Sequence, residues 1–150
     1  MNNNLNETFY SVYLKLQLQF YKRVFQRLES REARLSTVET FSIQAIDALG
    51  TPTVSEFAKF LDISVANATY KVQSLQKKGY LRKERSTEDR RESYLYVTEH
   101  FNDYKKLHTD YVSTVINRVE ESCTTDEIAV FKQVMEKISI NLTPEIELNS

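Results

Sequence analysis

The sequence predicts a mainly α-helical protein that contains one short β-hairpin. Its 150 residues include only two Gly and two Pro, and 41% are hydrophobic, a composition typical of long helices around a buried core. Apolar residues recur every three or four positions along most of the chain. Between about residues 80 and 97, two runs instead alternate apolar and polar residues. The length suits one domain of ordinary size.

Composition and charge narrow the functional classes. No apolar run approaches the roughly 18 residues of a membrane span, and the first residues, MNNNLNETFY, lack a signal-peptide layout. We therefore expect a cytoplasmic protein without membrane contacts. The net charge is −1, yet residues 64–91 hold eight Lys and Arg against three Asp and Glu. Such a basic block is typical of a nucleic-acid-binding surface, although a solvated helix face has the same composition.

The first predicted helix runs from about Leu5 to Leu28 and is apolar on two sides. Two apolar faces need two partners, which are either a second subunit or other helices of the same chain. One stripe consists of Leu5, Phe9, Val12, Leu16, Phe20 and Val24. The other consists of Tyr10, Leu14, Leu18, Tyr21 and Phe25.

Side-chain capping signals divide residues 36–79 into three helices. Ser36 with Glu39, and Thr53 with Glu56, have the spacing of capping boxes, and Ser64 can cap the third helix. The second and third helices, joined by the turn LDIS, are a helix-turn-helix candidate. The three helices are predicted to end at Leu49 before Gly50, at Leu61 and at Gly79.

The third of these helices has an apolar face and a polar face. Ala68, Val72 and Leu75 fall together and should pack on the preceding helices, with Val65 at the edge. On the other side, Asn and Gln can bond a base edge, and the lysines, including Lys78, can neutralise phosphate charge. An exposed face without a nucleic-acid role looks the same, so this helix alone does not decide the function. The polar face consists of Ala66, Asn67, Tyr70, Gln73, Ser74 and Lys77.

The segments YLRKE and YLYV, with a polar loop between them, predict the two arms of an antiparallel hairpin. A helix-turn-helix followed by a charged hairpin is a winged helix. Arg90 and Arg91, at the loop tip, could enter the minor groove beside the site that the helix reads. Asp89 could hold the Arg91 guanidinium in a fixed pose through a charge-assisted hydrogen bond.

Two further helices are predicted after the hairpin. Thr98 caps the first, and Thr124 with Glu127 forms a capping box for the second. The apolar stripe of the last helix and the spare face of the N-terminal helix could pair across a two-fold axis. The apolar positions are Phe101, Tyr104, Tyr111, Val115 and Val119 in the first helix, and Ile128, Phe131, Met135, Ile138 and Leu142 in the second.

Signals for catalysis or metal binding are weak. His100 and His108 would lie about 12 Å apart along one helix, too far for a shared metal ion. The chain has no glycine-rich phosphate loop, cysteine pair or HExxH motif. Cys123 is either a thiol switch or, as we expect, a structural cysteine. We therefore predict no enzyme activity, no catalytic residue, no cofactor and no metal site.

The segment TVSEFAKFLDISVANATYKVQSLQKKGYLRKERSTEDRRESYLYVTE, residues 53–99, resembles the winged helix of the MarR family of bacterial transcriptional regulators. The matching features are the helix with Glu56 and Ala58, the recognition helix that Ser64 opens, its exit KKGY, and the DRR motif in the wing. The resemblance implies a homodimer, built from the terminal helices, that reads a pseudo-palindromic site in double-stranded DNA.

The resemblance also implies a division of the chain and of its roles. Residues 1–35 would be an N-terminal dimerisation helix, residues 36–98 the DNA-binding domain, and residues 99–150 C-terminal linker and dimerisation helices. Arg91 would reach the minor groove with Asp89 bracing it. The DNA-contacting residues are predicted to be Ser64, Ala66, Asn67, Tyr70, Lys71, Gln73, Ser74, Lys77, Arg85, Asp89, Arg90 and Arg91.

Many relatives have arginine at the position of Tyr70, so a guanine contact is not transferred to this chain. The family further suggests a small aromatic or amphipathic effector whose binding releases a repressor from DNA. The alternative function is a winged-helix protein-interaction module that uses the same basic face. Tyrosines that could line an effector cavity, or simply pack in the core, are Tyr10, Tyr13, Tyr21, Tyr104 and Tyr111.

Overall fold

A computed structural model describes residues 4–28 and 35–148 of the chain. The predicted fold class, mainly helical with one antiparallel hairpin, is confirmed. Short 3₁₀ and π turns, Glu99–Phe101 and Ile138–Leu142, flank the last two helices. In chain order the elements are α1 (Leu5–Leu28), α2 (Thr37–Ala48), α3 (Val54–Phe60), α4 (Val65–Lys77), β1 (Leu81–Arg85), β2 (Ser93–Val97), α5 (Asn102–Ser122) and α6 (Thr125–Lys137).

The chain divides into two compact units. The first contains α1 up to Arg23 together with Lys106–Glu147, which hold most of α5 and all of α6. The second is centred on Val24–Lys105, and we call it the winged unit because it holds α2, α3, α4 and the hairpin.

The winged unit has a continuous apolar core. The predicted inner face of α4 is confirmed, since Ala68, Val72 and Leu75 are fully buried while Val65 at its edge is exposed. Burial of one such Leu or Val side chain contributes roughly 1.5–3 kcal/mol, so this face alone anchors the helix firmly. The remaining core side chains include Ile43, Ile46, Phe57, Tyr80, Leu81, Leu95, Phe101 and Tyr104.

Local capping produces the predicted helix starts. Both arms of each capping box are present for Ser36 with Glu39, Thr53 with Glu56, and Thr124 with Glu127. Ser64 Oγ accepts a hydrogen bond of 3.1 Å from the Asn67 amide, as predicted. Gly50 and Gly79 end α2 and α4 with φ angles of 83° and 80°, in the left-handed region that favours glycine.

The hairpin has two distinct faces. Residues paired directly across an antiparallel ladder share a face, and successive residues of a strand alternate between faces. Leu81, Lys83 and Arg85 therefore share one face with Val97, Leu95 and Ser93, their respective partners. Buried Leu81 and Leu95 show that the root of this face belongs to the core. The opposite face carries Arg82, Glu84, Tyr94 and Tyr96.

The predicted cap at Thr98 is wrong. Its hydroxyl makes no helix cap and instead donates to the Gly79 carbonyl at 2.6 Å. The chain enters α5 through a 3₁₀ turn, in which the Phe101 amide donates to the Thr98 carbonyl at 3.0 Å. The hydrogen bond from the Thr98 hydroxyl therefore links the end of the hairpin to the C-terminal end of α4.

The helices of the first unit expose much apolar surface. On α1, Phe20 is buried, but the stripe to which it belongs is exposed towards the N-terminus, where Leu5 is 81% exposed. No residue of α6 is buried, and Val130, Phe131, Val134 and Met135 are all exposed. None of the described helices combines the length and apolar character needed to cross a membrane.

Candidate nucleic-acid interface

The outer face of α4 is exposed along its length. Tyr70 projects from its middle with 74% of its surface exposed, and Asn67 and Gln73 flank it. Lys71 is half-buried, and Ser64 uses its hydroxyl to cap the helix. Because the inner face of α4 is fully buried, the outer side chains are presented by a rigid element. The predicted positions exposed here are Ser64, Ala66, Asn67, Tyr70, Gln73 and Lys77.

The far end of α4 is tied to α2 through one carboxylate. Glu39 Oε1 accepts a hydrogen bond of 2.6 Å from the Ser74 hydroxyl, and both Glu39 oxygens lie within 2.8 Å of Lys78 Nζ. Glu39 Oε2 also accepts from the Ser36 amide at 2.7 Å. We call Glu39, Ser74 and Lys78 the α2–α4 clamp. Ser74, a predicted contact residue, and Lys78, predicted to neutralise phosphate, are therefore committed to a contact within the protein.

The clamp changes the acidity of its carboxyl group. Partial burial alone would raise the pKa of Glu39, but hydrogen bonds from Lys78, Ser74 and Ser36 outweigh this effect and hold the pKa at about 2, against an ordinary 4.5. Glu39 is thus ionised at neutral pH. The negative charge is permanently present to hold Lys78.

The wing tip is a closed turn held by its own side chains. The buried Ser86 hydroxyl accepts from the amides of Glu88 and Asp89, each at 3.2 Å. Asp89 Oδ1 accepts from the Arg91 amide at 2.9 Å, and the Glu92 amide donates to the Asp89 carbonyl at 3.0 Å. Asp89 thus orders the main chain at Arg91, whereas the sequence predicted a contact to its guanidinium. Arg90 and Arg91 are both exposed at this tip.

The base of the wing is anchored to the start of α3. Thr53 forms an isolated antiparallel bridge with Tyr94, and the Leu95 amide donates to the Pro52 carbonyl at 2.9 Å. The Ser55 hydroxyl lies 3.3 Å from Glu92 Oε1. These contacts set the orientation of the hairpin within the winged unit.

A basic pocket of about 460 Å³ lies between α4 and the hairpin, and we call it the α4–wing pocket. Sequence reasoning identified Arg85, Arg90 and Arg91 but missed the other lining residues. The alternation along β1 was the available signal, because it places Lys83 on the face of Arg85. The lining residues are Gln76, Lys83, Arg85, Arg90, Arg91 and Ser93.

The five tyrosines of the predicted effector site occupy different environments. Tyr104 is buried in the winged unit, where its ring stacks on Phe101 and meets Tyr80 edge-on. The other four lie in the first unit. There, Gln17 Nε2 bonds the hydroxyls of Tyr13 and Tyr21 at 3.1 and 2.9 Å. Tyr10 and Tyr13 are exposed, and Arg23 lies over the Tyr111 ring.

The two histidines and the cysteine that the sequence analysis considered as metal or redox sites do not form such a site among the described residues. His100 lies 6.0 Å from the Tyr80 ring, and His108 packs at 4.7 Å against Phe20. Cys123 is exposed. In the described ranges, no three His, Cys, Asp or Glu side chains are placed to hold a metal ion.

A helix-turn-helix whose second helix is followed by an anchored hairpin defines a winged-helix protein. Residues 35–93 match the model of the MarR family, so the resemblance inferred from the recognition helix and the DRR wing is confirmed. The match to the MarR family model covers the winged helix, and the fold of the chain is similar to that of solved MarR-family proteins. A comparison with curated proteins finds no match.

Solved structures share this fold over nearly the whole chain. FabT from Streptococcus pneumoniae, solved in complex with DNA, is 24% identical with a TM-score of 0.62, and the match covers 92% of this chain and 94% of that one. The transcriptional regulator Tm0710 from Thermotoga maritima is 15% identical with a TM-score of 0.67, covering 92% and 96%. A MarR family protein from Bacillus stearothermophilus is 16% identical with a TM-score of 0.61, covering 95% and 99%. At these identities the likeness concerns the fold.

Proposed function

We propose that the protein is a homodimeric transcriptional regulator that binds a specific double-stranded DNA sequence and represses transcription from it. The observation that carries this proposal is the presence, in one compact unit, of an exposed polar α4 face and an anchored wing with cations at its tip. A rigid helix fits the major groove of B-DNA, and an adjacent arginine-bearing hairpin fits the minor groove beside it.

The proposed division of labour follows the chemistry of the side chains. Asn67 and Gln73 can each bond an adenine edge with two hydrogen bonds, and Tyr70 can contact a base or a phosphate. Lys71 and Lys77 would neutralise backbone phosphates. Arg91, on a tip that is ordered by Ser86 and Asp89, would enter the minor groove with little entropy to lose.

A second subunit would be held by the terminal helices. The exposed apolar side chains of α1 and α6 form faces that a monomer would leave in water, and a two-fold interface would cover them. Two winged units would then read half-sites about 34 Å apart on a pseudo-palindrome. FabT, which shares the fold, was solved in complex with DNA and so supports this use of the fold.

An effector that releases the protein from DNA forms the regulatory part of the proposal. Tyr13 and Tyr21, linked by Gln17, are the tyrosines best placed to offer a hydroxyl pair on α1. A thermal-shift screen of metabolites and aromatic acids tests this part. A compound that raises the melting temperature and weakens DNA binding supports effector control. Stabilisation without any effect on DNA binding contradicts it.

Selection of genomic fragments by the purified protein is the decisive experiment. We expect enrichment of one pseudo-palindromic motif. Affinity for it should fall steeply as salt increases, because each neutralised phosphate releases counterions. Binding with the same affinity to any DNA contradicts the proposal. If no DNA is bound, and the basic face instead captures an acidic protein, the winged unit is a protein-interaction module.

A further inference from the structure

The α4–wing pocket collects positive charge that no carboxylate of the described residues neutralises through an ion pair. In the part of the chain that the structure describes, Lys83, Arg85, Arg90 and Arg91 form no ion pair. Arg82, the neighbour of Lys83, differs from these four residues because it forms an ion pair and lies outside the pocket. It pairs with Glu84 and lies 4.7 Å over the Tyr96 ring on the opposite face of the hairpin.

The fold holds these charges together rather than letting them spread apart. Buried Leu81 and Leu95 fix the root of the strand face that carries Lys83 and Arg85. Across the ladder from Arg85 stands Ser93, and α4 contributes the Gln76 amide to the pocket. No carboxylate of a described residue lines the pocket. Four like charges around one pocket repel one another, and a bound anion would relieve that repulsion.

We propose that the α4–wing pocket is a binding site for phosphate groups. Arginine guanidinium groups match two phosphate oxygens at once, and a lysine ammonium adds a compact charge. Gln76 and Ser93 supply neutral donors for the oxygens that remain. The new members of the site are therefore Gln76, Lys83 and Ser93, beside the three arginines.

The phosphate can come from two sources. One is the backbone of a DNA strand that passes from the α4 face to the wing, and this source rests on the proposed function. The other is a free polyphosphate or phosphate ester. Because the pocket is part of the surface proposed to face DNA, a free polyphosphate bound there would compete with DNA.

The first arm of the test uses inorganic pyrophosphate and the full chain without DNA. Chloride is adjusted to keep the ionic strength constant, and binding is followed by amide NMR shifts. We expect shifts at Gln76 and in residues 83–93, and a loss of affinity of roughly fivefold or more in Lys83→Gln. Arg82→Gln removes the same charge from the next residue and should bind pyrophosphate like the wild type. Thermal melts check that both variants remain folded.

The second arm uses the DNA fragment with the highest affinity from the genomic selection. Lys83→Gln should reduce the slope of log affinity against log salt by about one relative to Arg82→Gln. Pyrophosphate should displace the DNA from the wild type and much less effectively from Lys83→Gln.

The outcomes separate this proposal from the proposed function. Pyrophosphate binding that depends on Lys83, in a protein that binds no DNA, supports the pocket and overturns the regulator. DNA binding that is equally affected in both variants, without pyrophosphate shifts at the pocket, overturns the pocket and leaves the regulator standing. Equal pyrophosphate affinity in both variants means non-specific attraction and also overturns the pocket.

Discussion

The winged unit and the terminal helices differ in how their apolar residues are used. In the winged unit, the apolar face of α4 is fully buried, and apart from Val65 and Ala66 the exposed positions of this helix are polar, cationic or tyrosine. In α6 no residue is buried, and Val130 is 60% exposed. The comparison shows that the winged unit completes its core from its own chain, whereas the terminal helices display the apolar surface on which we place the second subunit.

The largest effect should come from the core of the winged unit. Leu75→Ala removes a fully buried side chain and should lower the free energy of unfolding by about 2–5 kcal/mol. Leu142→Ala, at a position that is 67% exposed, is the comparison variant; at a protein concentration at which light scattering gives the mass of one chain, it should change stability little. Urea denaturation measures the free energy of unfolding of both variants. Equal losses would show that the two regions do not differ as described.

A charge on the exposed face of α6 should separate subunits without unfolding them. Phe131→Glu puts a carboxylate where we propose apolar contact and should weaken dimerisation by at least 2 kcal/mol, the size of an interface hot spot. Gln133→Glu adds the same charge in the same helix and serves as the control. Light scattering over a range of concentrations gives the mass. A wild-type protein with the mass of one chain at micromolar concentration would remove the dimer from the proposal.

The α2–α4 clamp predicts a specific loss of stability in acid. A carboxyl whose pKa is lowered on folding contributes stability that is complete above its ordinary pKa of 4.5, declines as the pH falls towards the folded value of about 2, and is absent below it. Glu39→Gln should cost about 1.5–3 kcal/mol at pH 7, because it removes hydrogen bonds to a charged group.

The pH profile distinguishes the clamp from a general loss of packing. The difference in unfolding free energy between wild type and Glu39→Gln should shrink between pH 4.5 and pH 2. Glu56→Gln, at the same position of the neighbouring capping box but with no lysine partner among the described residues, should lower the free energy of unfolding at pH 7 by less than Glu39→Gln does. A difference that stays constant with pH would contradict the role of the Glu39 charge.

The wing tip should affect DNA binding without affecting assembly. Arg91→Ala should weaken binding to the selected DNA by about 1–3 kcal/mol and leave both mass and stability unchanged. Arg118→Ala, an exposed arginine on α5, is the control and should bind like the wild type. Fluorescence anisotropy at fixed salt measures both affinities. An unchanged affinity in Arg91→Ala would place the wing outside the DNA interface.

Prediction from the sequence succeeded where the determining contacts are local. The capping boxes at Ser36, Thr53 and Thr124 join residues three positions apart, so their spacing was visible in the sequence. The buried face of α4 and the two hairpin arms followed from periods of three to four and of two residues.

The sequence did not predict hydrogen bonds and ion pairs between residues that lie far apart in the chain. The Thr98 hydroxyl does not cap the helix that follows it and instead donates to the Gly79 carbonyl, 19 positions earlier. Lys78, whose role in neutralising phosphate stays a prediction, pairs with Glu39, 39 positions away. Sequence spacing contains no information about which of several polar partners will be nearest after folding.

The sequence by itself determined the helices, their caps, the hairpin and the position of the basic block, because each depends on residues a few positions apart. Only the tertiary structure decided which cations of that block are committed within the protein and which line the α4–wing pocket. The physical reason is that the strength of an ion pair depends on the distance and burial of its two groups in the folded chain. Packing of α2, α4 and the wing sets both.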